Sequence, residues 1–347
     1  MKLYFVFLLI LISGESHAQS SVALYGTIDG GLTYTNRVST GTKAGSNLQF
    51  VSGNSLGENW GLIGNEDLGG GLHTNFVLES GFVSSNGAAA QQGEMFGRQA
   101  YVGLSGPWGS VTMGRQWDLI GTTFPFYSIG ALTPAGLLAW GLHSYAAGGY
   151  VLDDRVWGVS VNNAIKYTSP NIHGLTFAAM YGLGNVAGSF GTNSVDNVVA
   201  SYNDANLSAS VGFITVHNAT SSSNLHEYAG GLSYTIDNLK FFGMATSVQL
   251  SGGNTPRATT FEAGVTYNVS PAILIGGSYQ FQERKDLASA NQLTFAADYL
   301  LSKRTDVYVA AALGHDHAFG SQVQAAYGAP SDTDAQSAIR IGIRHHF

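Results

Sequence analysis

Hydrophobic and polar residues alternate along most of this chain, in runs of about ten to fourteen residues. The first run after the N-terminal segment shows the pattern on two faces. One face carries Val22, Leu24, Ile28 and Leu32, and the other carries Tyr25, Thr27, Asp29 and Thr33. A period of two is typical of β-strands whose two faces meet different environments.

Sixteen such runs can be counted, and the gaps between them are alternately short and long. They lie near 22–36, 57–67, 72–84, 95–106, 109–118, 159–169, 173–185, 196–204, 206–217, 224–237, 239–249, 258–270, 272–284, 290–302, 304–316 and 335–347. The short gaps have tight-turn compositions, such as Asp237-Asn238 and Ser270-Pro271. This alternation places all the short turns at one end of the sheet and all the long loops at the other, which is typical of an outer-membrane β-barrel.

The last run indicates which face of the strands contacts lipid and which contacts water. Ile339, Ile341 and Ile343 alternate with Arg340 and Arg344. Two arginines facing lipid would be costly, whereas a water-filled interior tolerates them. The pattern therefore predicts an all-β fold, a sixteen-stranded antiparallel transmembrane β-barrel. A soluble secreted β-sandwich is the alternative that composition does not exclude.

The regular spacing of strands stops for nearly forty residues between Leu119 and Gly158. A structureless gap of this length inside a compact domain usually has a function. We expect segment 119–158 to fold inward as the third loop of the barrel and to form the constriction of a pore.

The first eighteen residues predict a secretory signal peptide, because Lys2 precedes an apolar run over 3–12 and small residues lead to Ala18. This leaves one barrel domain over 19–347. The apolar run is too short to span a bilayer, and Pro125 and Pro134 interrupt the third loop, so we expect no transmembrane helix in the mature chain.

Composition narrows the possible partners and chemistry. The net charge is -7 at pH 7. It stays at -7 when the leader removes Lys2 and Glu15, and an acidic surface argues against nucleic acid as a partner. The chain has 46 Gly, 17 Tyr and 18 Phe, which suits a barrel with aromatic girdles. It has no Cys, which excludes thiol catalysis, disulfides and cysteine metal sites.

Five segments, in order along the chain, resemble the general diffusion porins of Gram-negative bacteria, in the branch that includes the Neisseria and Burkholderia porins. They are SSVALYGTIDGGLTY at 20–34, GLIGNEDLGGGL at 61–72, MFGRQAYVGLSGPWGSVTMGRQWD at 95–118, NNAIKYTSPNIHGLTFAAMYG at 162–182 and IRIGIRHHF at 339–347. The resemblance implies a homotrimer of barrels in the outer membrane. It also implies contact with lipid and lipopolysaccharide, and insertion by the barrel-assembly machinery, for which Phe347 is the C-terminal signal.

The same resemblance implies that basic wall residues face acids of the third loop. Arg98 and Arg115 occupy matching motifs. Related porins often carry Arg where this chain has Asn59, Ile63 and Ser160, so the resemblance does not extend to a strongly basic constriction or to the anion preference that it would bring. On strict alternation Arg98 and Arg115 would face outward, and a bulge at Gly97 would turn Arg98 inward.

Charges opposed across a narrow wet gap can orient solutes and set ion preference. The candidates for the constriction are Arg98, Arg115, Asp118, Asp153, Asp154, Arg155 and Lys166, and those for the lumen wall are Asp29, Asn59, Ser160, Arg340 and Arg344. Equally, the loop residues among them could pin the base of the loop. The aromatic residues of the loop, Phe124, Phe126, Tyr127, Trp140 and Tyr145, favour anchoring over a solute track.

No motif for catalysis or for a cofactor is present. His315-Asp316-His317 has ligand-type residues, but alternate spacing at a loop favours solvated side chains, so no metal is expected. The sequence thus predicts a porin for passive diffusion of small hydrophilic solutes and ions, and no enzyme. A substrate-selective channel for a sugar or small organic acid is the alternative, followed by a non-conducting structural or enzymatic barrel.

Overall fold

The structure, a computed structural model, describes residues 21–41, 43–139, 146–147, 150–153, 158–217, 224–251, 257–318, 320–323 and 330–347. Twenty strands lie in these residues. They are β1 Ser21–Ser39, β2 Ala44–Ser52, β3 Asn59–Gly69, β4 Leu72–Val83, β5 Ala88–Ala89, β6 Gln99–Gly106, β7 Gly109–Trp117, β8 Ala146–Ala147, β9 Tyr150–Val151, β10 Ser160–Thr168, β11 Leu175–Gly182, β12 Val195–Asn203, β13 Leu207–Val216, β14 Leu225–Ile236, β15 Leu239–Leu250, β16 Arg257–Ser270, β17 Ile273–Arg284, β18 Ala290–Leu300, β19 Thr305–Asp316 and β20 Ala335–His346.

Sixteen of the described strands form a closed antiparallel barrel, which confirms the predicted fold. The wall consists of β1, β3, β4, β6, β7 and β10 to β20, each paired with its neighbours, and β1 closes the ring against β20. At the seam Thr27 lies opposite His346 and Thr35 opposite Ala338. Phe347 extends the closure, because its backbone exchanges two hydrogen bonds with Gly26, at 3.1 and 3.3 Å.

The gap between the predicted runs near 22–36 and 57–67 is not all loop, because β2 pairs with the second half of β1 while β3 pairs with its first half. The second strand of the wall is therefore made of two pieces, joined by residues 53–58. We call this joining segment the inward bend. The inward bend interrupts the alternation of apolar and polar residues, so the sequence does not indicate one continuous strand here.

The two faces of the wall have opposite character. Leu24, Leu32 and Ile341 point outward and are exposed, whereas Asp29 and Thr33 point inward and are buried. Apolar residues outside and polar residues inside is the arrangement expected of a barrel whose outer surface contacts lipid.

Only short helical segments accompany the strands in the described chain. They are α1 Leu119–Thr123, α2 Ile129–Leu132 and the 3-10 turns Gln91–Gly93, Phe124–Tyr127 and Gly136–Ala139. Asp118 and Ser128 cap α1 and α2 by accepting hydrogen bonds from Gly121 and Gly130. Across the described residues, we find no helix that has both the length and the apolar character to cross a membrane.

Residues 119–139 lie inside the barrel, packed on its inner face. Their apolar side chains join two buried clusters with inward-facing wall residues. The first cluster includes Phe124, Ile214 and Val248, and the second includes Ile129 and Phe242. The segment is fixed mainly by apolar burial, which contributes about 1.5–3 kcal/mol for each fully buried large side chain.

Candidate pore lining

Strand register defines which residues face the interior. Residues directly opposite each other in an antiparallel pair share a face, and the row that contains the buried Asp29 continues through every wall strand. The inward-facing charged side chains on the described strands include Asp29, Glu79, Lys166, Glu227, Lys240, Glu262, Arg284, Asp298, Asp306, Asp316, Arg340 and Arg344.

The guanidinium of Arg98 lies on this inner face. Arg98 Nε contacts Glu79 Oε1 at 2.5 Å, and Tyr25 donates a hydrogen bond to Glu79 Oε2 at 2.7 Å. The guanidinium carbon also lies 4.9 Å from the centre of the Trp117 ring. Arg98 can reach inward because it precedes β6, which begins at Gln99, and so it is not bound by the alternation of that strand. We call Arg98, Glu79 and Tyr25 the Arg98 cluster.

Other predicted wall residues lie near this cluster. Lys166 is in register with the inward-facing Thr112, and its Nζ lies 6.0 Å from the centre of the Tyr101 ring. Ser160 donates a hydrogen bond to the Arg98 carbonyl at 2.8 Å, so it fixes the chain rather than presenting a free hydroxyl. Asn59 is inward and buried, and Ile63 is inward and exposed.

Arg115 is not among the inner charges. It lies opposite Ala100 in the row of outward-facing positions. Its Nη2 contacts Glu94 Oε2 at 3.1 Å, its Nε donates to the Gly97 carbonyl at 2.7 Å, and Nη1 donates to Asn162. Arg115 is thus corrected as a constriction candidate: it faces outward, as strict alternation predicts, and no shift in the register between β6 and β7 turns it inward.

Asp29 and Arg340 face inward as predicted, yet both side chains are completely buried rather than exposed to a wet lumen. Arg340 donates to the Tyr308 hydroxyl at 2.8 Å, to Thr33 Oγ1 at 3.2 Å and to the Val51 carbonyl at 3.1 Å. The inward bend covers them: Ser55 N–H donates to Asp29 Oδ2 at 2.6 Å. This pair therefore holds the wall together and does not contact solutes.

Arg344 remains partly exposed beside two acids. Its Nε donates to Asp306 Oδ1 at 3.1 Å, and its Nη2 lies 3.9 Å from Asp298 Oδ2. Nη1 donates to Ser55 Oγ at 3.1 Å. Arg344 thus links β20 to the inward bend while part of its side chain, 18 %, stays accessible.

The inward bend meets the third loop inside the barrel. The Leu137 N–H donates to the Asn54 carbonyl at 2.8 Å. A Cβ at Gly136 would overlap this carbonyl, and Gly136 has a φ of +53°, so only glycine fits this close approach without strain. The inward bend and the third loop are therefore in direct contact inside the barrel.

The loop acids anchor the loop in the places that the structure describes. Asp118 Oδ1 accepts from Gly121 N–H and Oδ2 from Val159 N–H, both at 2.7 Å, which ties the two ends of the loop together. Burial raises the pKa of Asp118, and these backbone donors act in the opposite direction. The structure thus favours the anchoring role for Asp118.

Asp153 has the same role at the far end of the loop. Its carboxylate accepts from Thr246 Oγ1 at 2.6 Å and from Thr260 Oγ1 at 3.0 Å. Asp154 and Arg155 lie outside the described residues, as do Trp140 and Tyr145. Of the remaining loop aromatics, Phe124 and Tyr127 are buried and Phe126 is exposed.

Several anchoring residues were missed by the sequence analysis. Glu262 Oε1 accepts from Ile129 N–H at 2.9 Å, Gln280 donates to the Ala139 carbonyl at 2.8 Å, and Gln292 donates to the Leu138 carbonyl. Glu79 was missed too. All four occupy polar positions in alternating strands, which was the available signal, but the many other polar residues on this face show the same signal.

The Gram-negative porin family matches residues 6–318. The chain belongs to this family. A similar relative is outer membrane porin protein 32 of Delftia acidovorans, 30 % identical over 349 residues that cover 96 % of each chain. An outer membrane porin protein of Bordetella pertussis is 28 % identical and covers 98 % of each chain.

Solved structures of outer-membrane proteins share the barrel. The anion-selective porin from Comamonas acidovorans superimposes with a TM-score of 0.81 at 25 % identity, over 95 % of this chain and 100 % of that one. The trimer form of Vibrio cholerae OmpT gives a TM-score of 0.67 at 16 % identity, over 94 % and 99 % of the two chains, which shows the same fold. This porin is therefore a protein of the bacterial outer membrane and forms a channel for passive diffusion.

Proposed function

We propose that solutes pass between the inner face of β3 and the third loop, and that segment 119–158 is the constriction. The observation that carries this is an asymmetry of the inner face. Ile63 on β3 points inward, and the residue is 45 % exposed. By contrast, the inward-facing wall residues that the third loop covers, such as Ile214 and Thr294, are fully buried. Open space therefore remains on the β3 side of the lumen.

We propose a weak anion preference for this passage. The Arg98 side chain is 12 % exposed and that of its partner Glu79 is 7 % exposed. The Arg344 side chain is 18 % exposed, and its acid neighbours Asp306 and Asp298 are 3 % and 10 % exposed. The arginine is therefore the more accessible side chain in both places. The similarity to a porin described as anion-selective supports this sign, and the absence of further wall arginines at Asn59, Ile63 and Ser160 keeps the preference weak.

We also propose that the protein is a homotrimer of passive channels and has no catalytic activity. The family match supports a channel rather than an enzyme, and the resemblance of the sequence to trimeric porins supports three barrels per particle. Insertion through the C-terminal strand fits the position of Phe347 at the closing seam. A signal peptide over 1–18 and contact with lipopolysaccharide belong to the same proposal.

The test is to record the purified protein in planar bilayers under a potassium chloride gradient. We expect conductance steps that close in threes and a reversal potential of the sign for anion preference. A folded, inserted barrel that carries no current would overturn the passage along β3. A reversal potential for cations would overturn the charge assignment alone.

Removing the accessible charge of the Arg98 cluster should shift selectivity toward cations. In Arg98→Gln, Glu79 keeps its charge without its partner, and one unpaired charge a few Å from a passing ion contributes about 1 kcal/mol in water-like surroundings, roughly fivefold in local ion concentration. We expect the cation-to-anion permeability ratio to rise by about that factor. The measurement is the reversal potential.

Two controls isolate this effect. Arg304→Gln makes the same charge change in an exposed turn and should leave the permeability ratio unchanged. Adding Glu79→Gln to Arg98→Gln removes the unpaired acid and should return the ratio toward that of the parent. Equal shifts in Arg98→Gln and Arg304→Gln would show that Arg98 does not line the passage.

A further inference from the structure

Three ligand-type side chains converge at the base of the long loop between β19 and β20. His317 Nδ1 lies 3.0 Å from Asp334 Oδ2, and His315 Nδ1 lies 3.8 Å from the same oxygen. One potential ligand atom from each residue lies within 4.8 Å of the others. The two imidazole centres are 4.6 Å apart. The sequence favours solvated histidines here, and the structure adds the third residue.

The backbone explains why these side chains meet. His315 lies near the end of β19 and His317 in the turn directly after it, and the centres of their rings are 4.6 Å apart. Asp334 directly precedes Ala335, which lies opposite His315, and the Asp316 N–H donates to the Asp334 carbonyl at 2.7 Å. Asp334 is therefore held beside the two histidines by the pairing of two strands.

Asp316, between the two histidines, is fixed on the inner face. Its carboxylate accepts two hydrogen bonds from the Arg284 guanidinium, at 2.9 and 2.8 Å. Since Asp316 is held inward, its neighbour on the strand, His315, points outward. A buried ion pair thus fixes the orientation of His315 before any ligand binds.

We propose that His315, His317 and Asp334 form a binding site for a borderline divalent transition-metal ion, such as Zn²⁺, at the loop end of the barrel. Bonds of about 2.0–2.2 Å to a tetrahedral ion place ligand atoms roughly 3.3 Å apart. The two histidine Nδ1 atoms lie 3.0 and 3.8 Å from Asp334 Oδ2, and the three ligand atoms together lie within 4.8 Å of one another. Two imidazoles and one carboxylate leave a fourth position for water. Imidazole-rich sites select Zn²⁺, Ni²⁺ or Cu²⁺ over Mg²⁺ and Ca²⁺.

The site is accessible and independent of the passage. The three side chains are 40 %, 55 % and 44 % exposed. His315 faces outward at the end of β19, away from the lumen, so an ion bound there can be tested whatever the conductance measurement shows. The ion would join β19 to the start of β20 and stabilise the base of the loop between them.

The test is isothermal titration of ZnCl₂ into the purified full-length barrel in detergent at pH 7.5, with excess MgCl₂ and CaCl₂ present. We expect one Zn²⁺ per chain for this site. His317→Gln and Asp334→Asn should each weaken binding at least tenfold, since each removes a ligand. Both positions are exposed, and the folded state of each variant is checked by its heat-modifiable migration on gels.

His73→Gln is the matched control. His73 lies 3.8 Å from Asp67, and both side chains are similarly exposed, but among the described residues they form a pair without a second histidine. This variant should bind Zn²⁺ as the parent does. The proposed site is overturned if the parent does not bind Zn²⁺ or if magnesium displaces the bound Zn²⁺. It is also overturned if His317→Gln and Asp334→Asn bind Zn²⁺ as tightly as the parent.

Discussion

Replacing Arg340 with methionine should lower the free energy of unfolding by about 3–5 kcal/mol, because it leaves the carboxylate of Asp29 buried without its cation. Arg340 and Asp29 are both fully buried, and the guanidinium also joins β20 to Thr33 and to the Val51 carbonyl. The loss should fall on the closing seam and the inward bend. The measurement is urea unfolding of the inserted barrel in lipid vesicles.

Arg304→Met is the control, since it removes an exposed arginine from the turn before β19 and should change the unfolding free energy by less than about 0.5 kcal/mol. Combining Asp29→Asn with Arg340→Met removes both buried charges and should recover part of the loss. If Arg340→Met unfolds like the parent, the buried pair does not stabilise the barrel. If the double variant is less stable than Arg340→Met, the loss does not come from the unpaired acid.

Replacing Phe124 with alanine should loosen the third loop without unfolding the barrel. Phe124 is fully buried between the loop and the inner wall, and truncating a buried phenylalanine costs about 3–5 kcal/mol. That cost applies to loop docking, because the wall strands keep their pairing. We expect more frequent brief closures and larger open-channel current noise in single-channel recordings, with unchanged heat stability of the barrel.

Phe126→Ala is the matched control in the same loop. Phe126 lies two residues away and its side chain is 59 % exposed, so truncation should leave the current noise as in the parent. Similar noise in Phe124→Ala and the parent would show that the apolar cluster does not hold the loop. Unfolding of the barrel in Phe124→Ala would show that the loop and the wall are one cooperative unit.

The strands and their number were predictable because lipid outside and water or polar contacts inside impose a period of two on every wall strand. The β2 strand escaped this signal, since the inward bend at 53–58 interrupts the alternation between β2 and β3. Arg98 was ambiguous for a related reason. It precedes the strand that its neighbours suggest it belongs to, so alternation assigned it to the wrong face.

The sequence by itself determined the barrel, its sixteen strands, the face of Arg340 and Arg344, and the location of the third loop. Only the tertiary structure decided that Arg340 is buried, that Asp118 and Asp153 anchor the loop, and that Asp334 joins His315 and His317. The physical reason is that alternation is local, whereas burial and contact depend on segments far apart in the chain. Asp29 and Ser55, or Gln280 and Ala139, meet only once the barrel has closed around its loop.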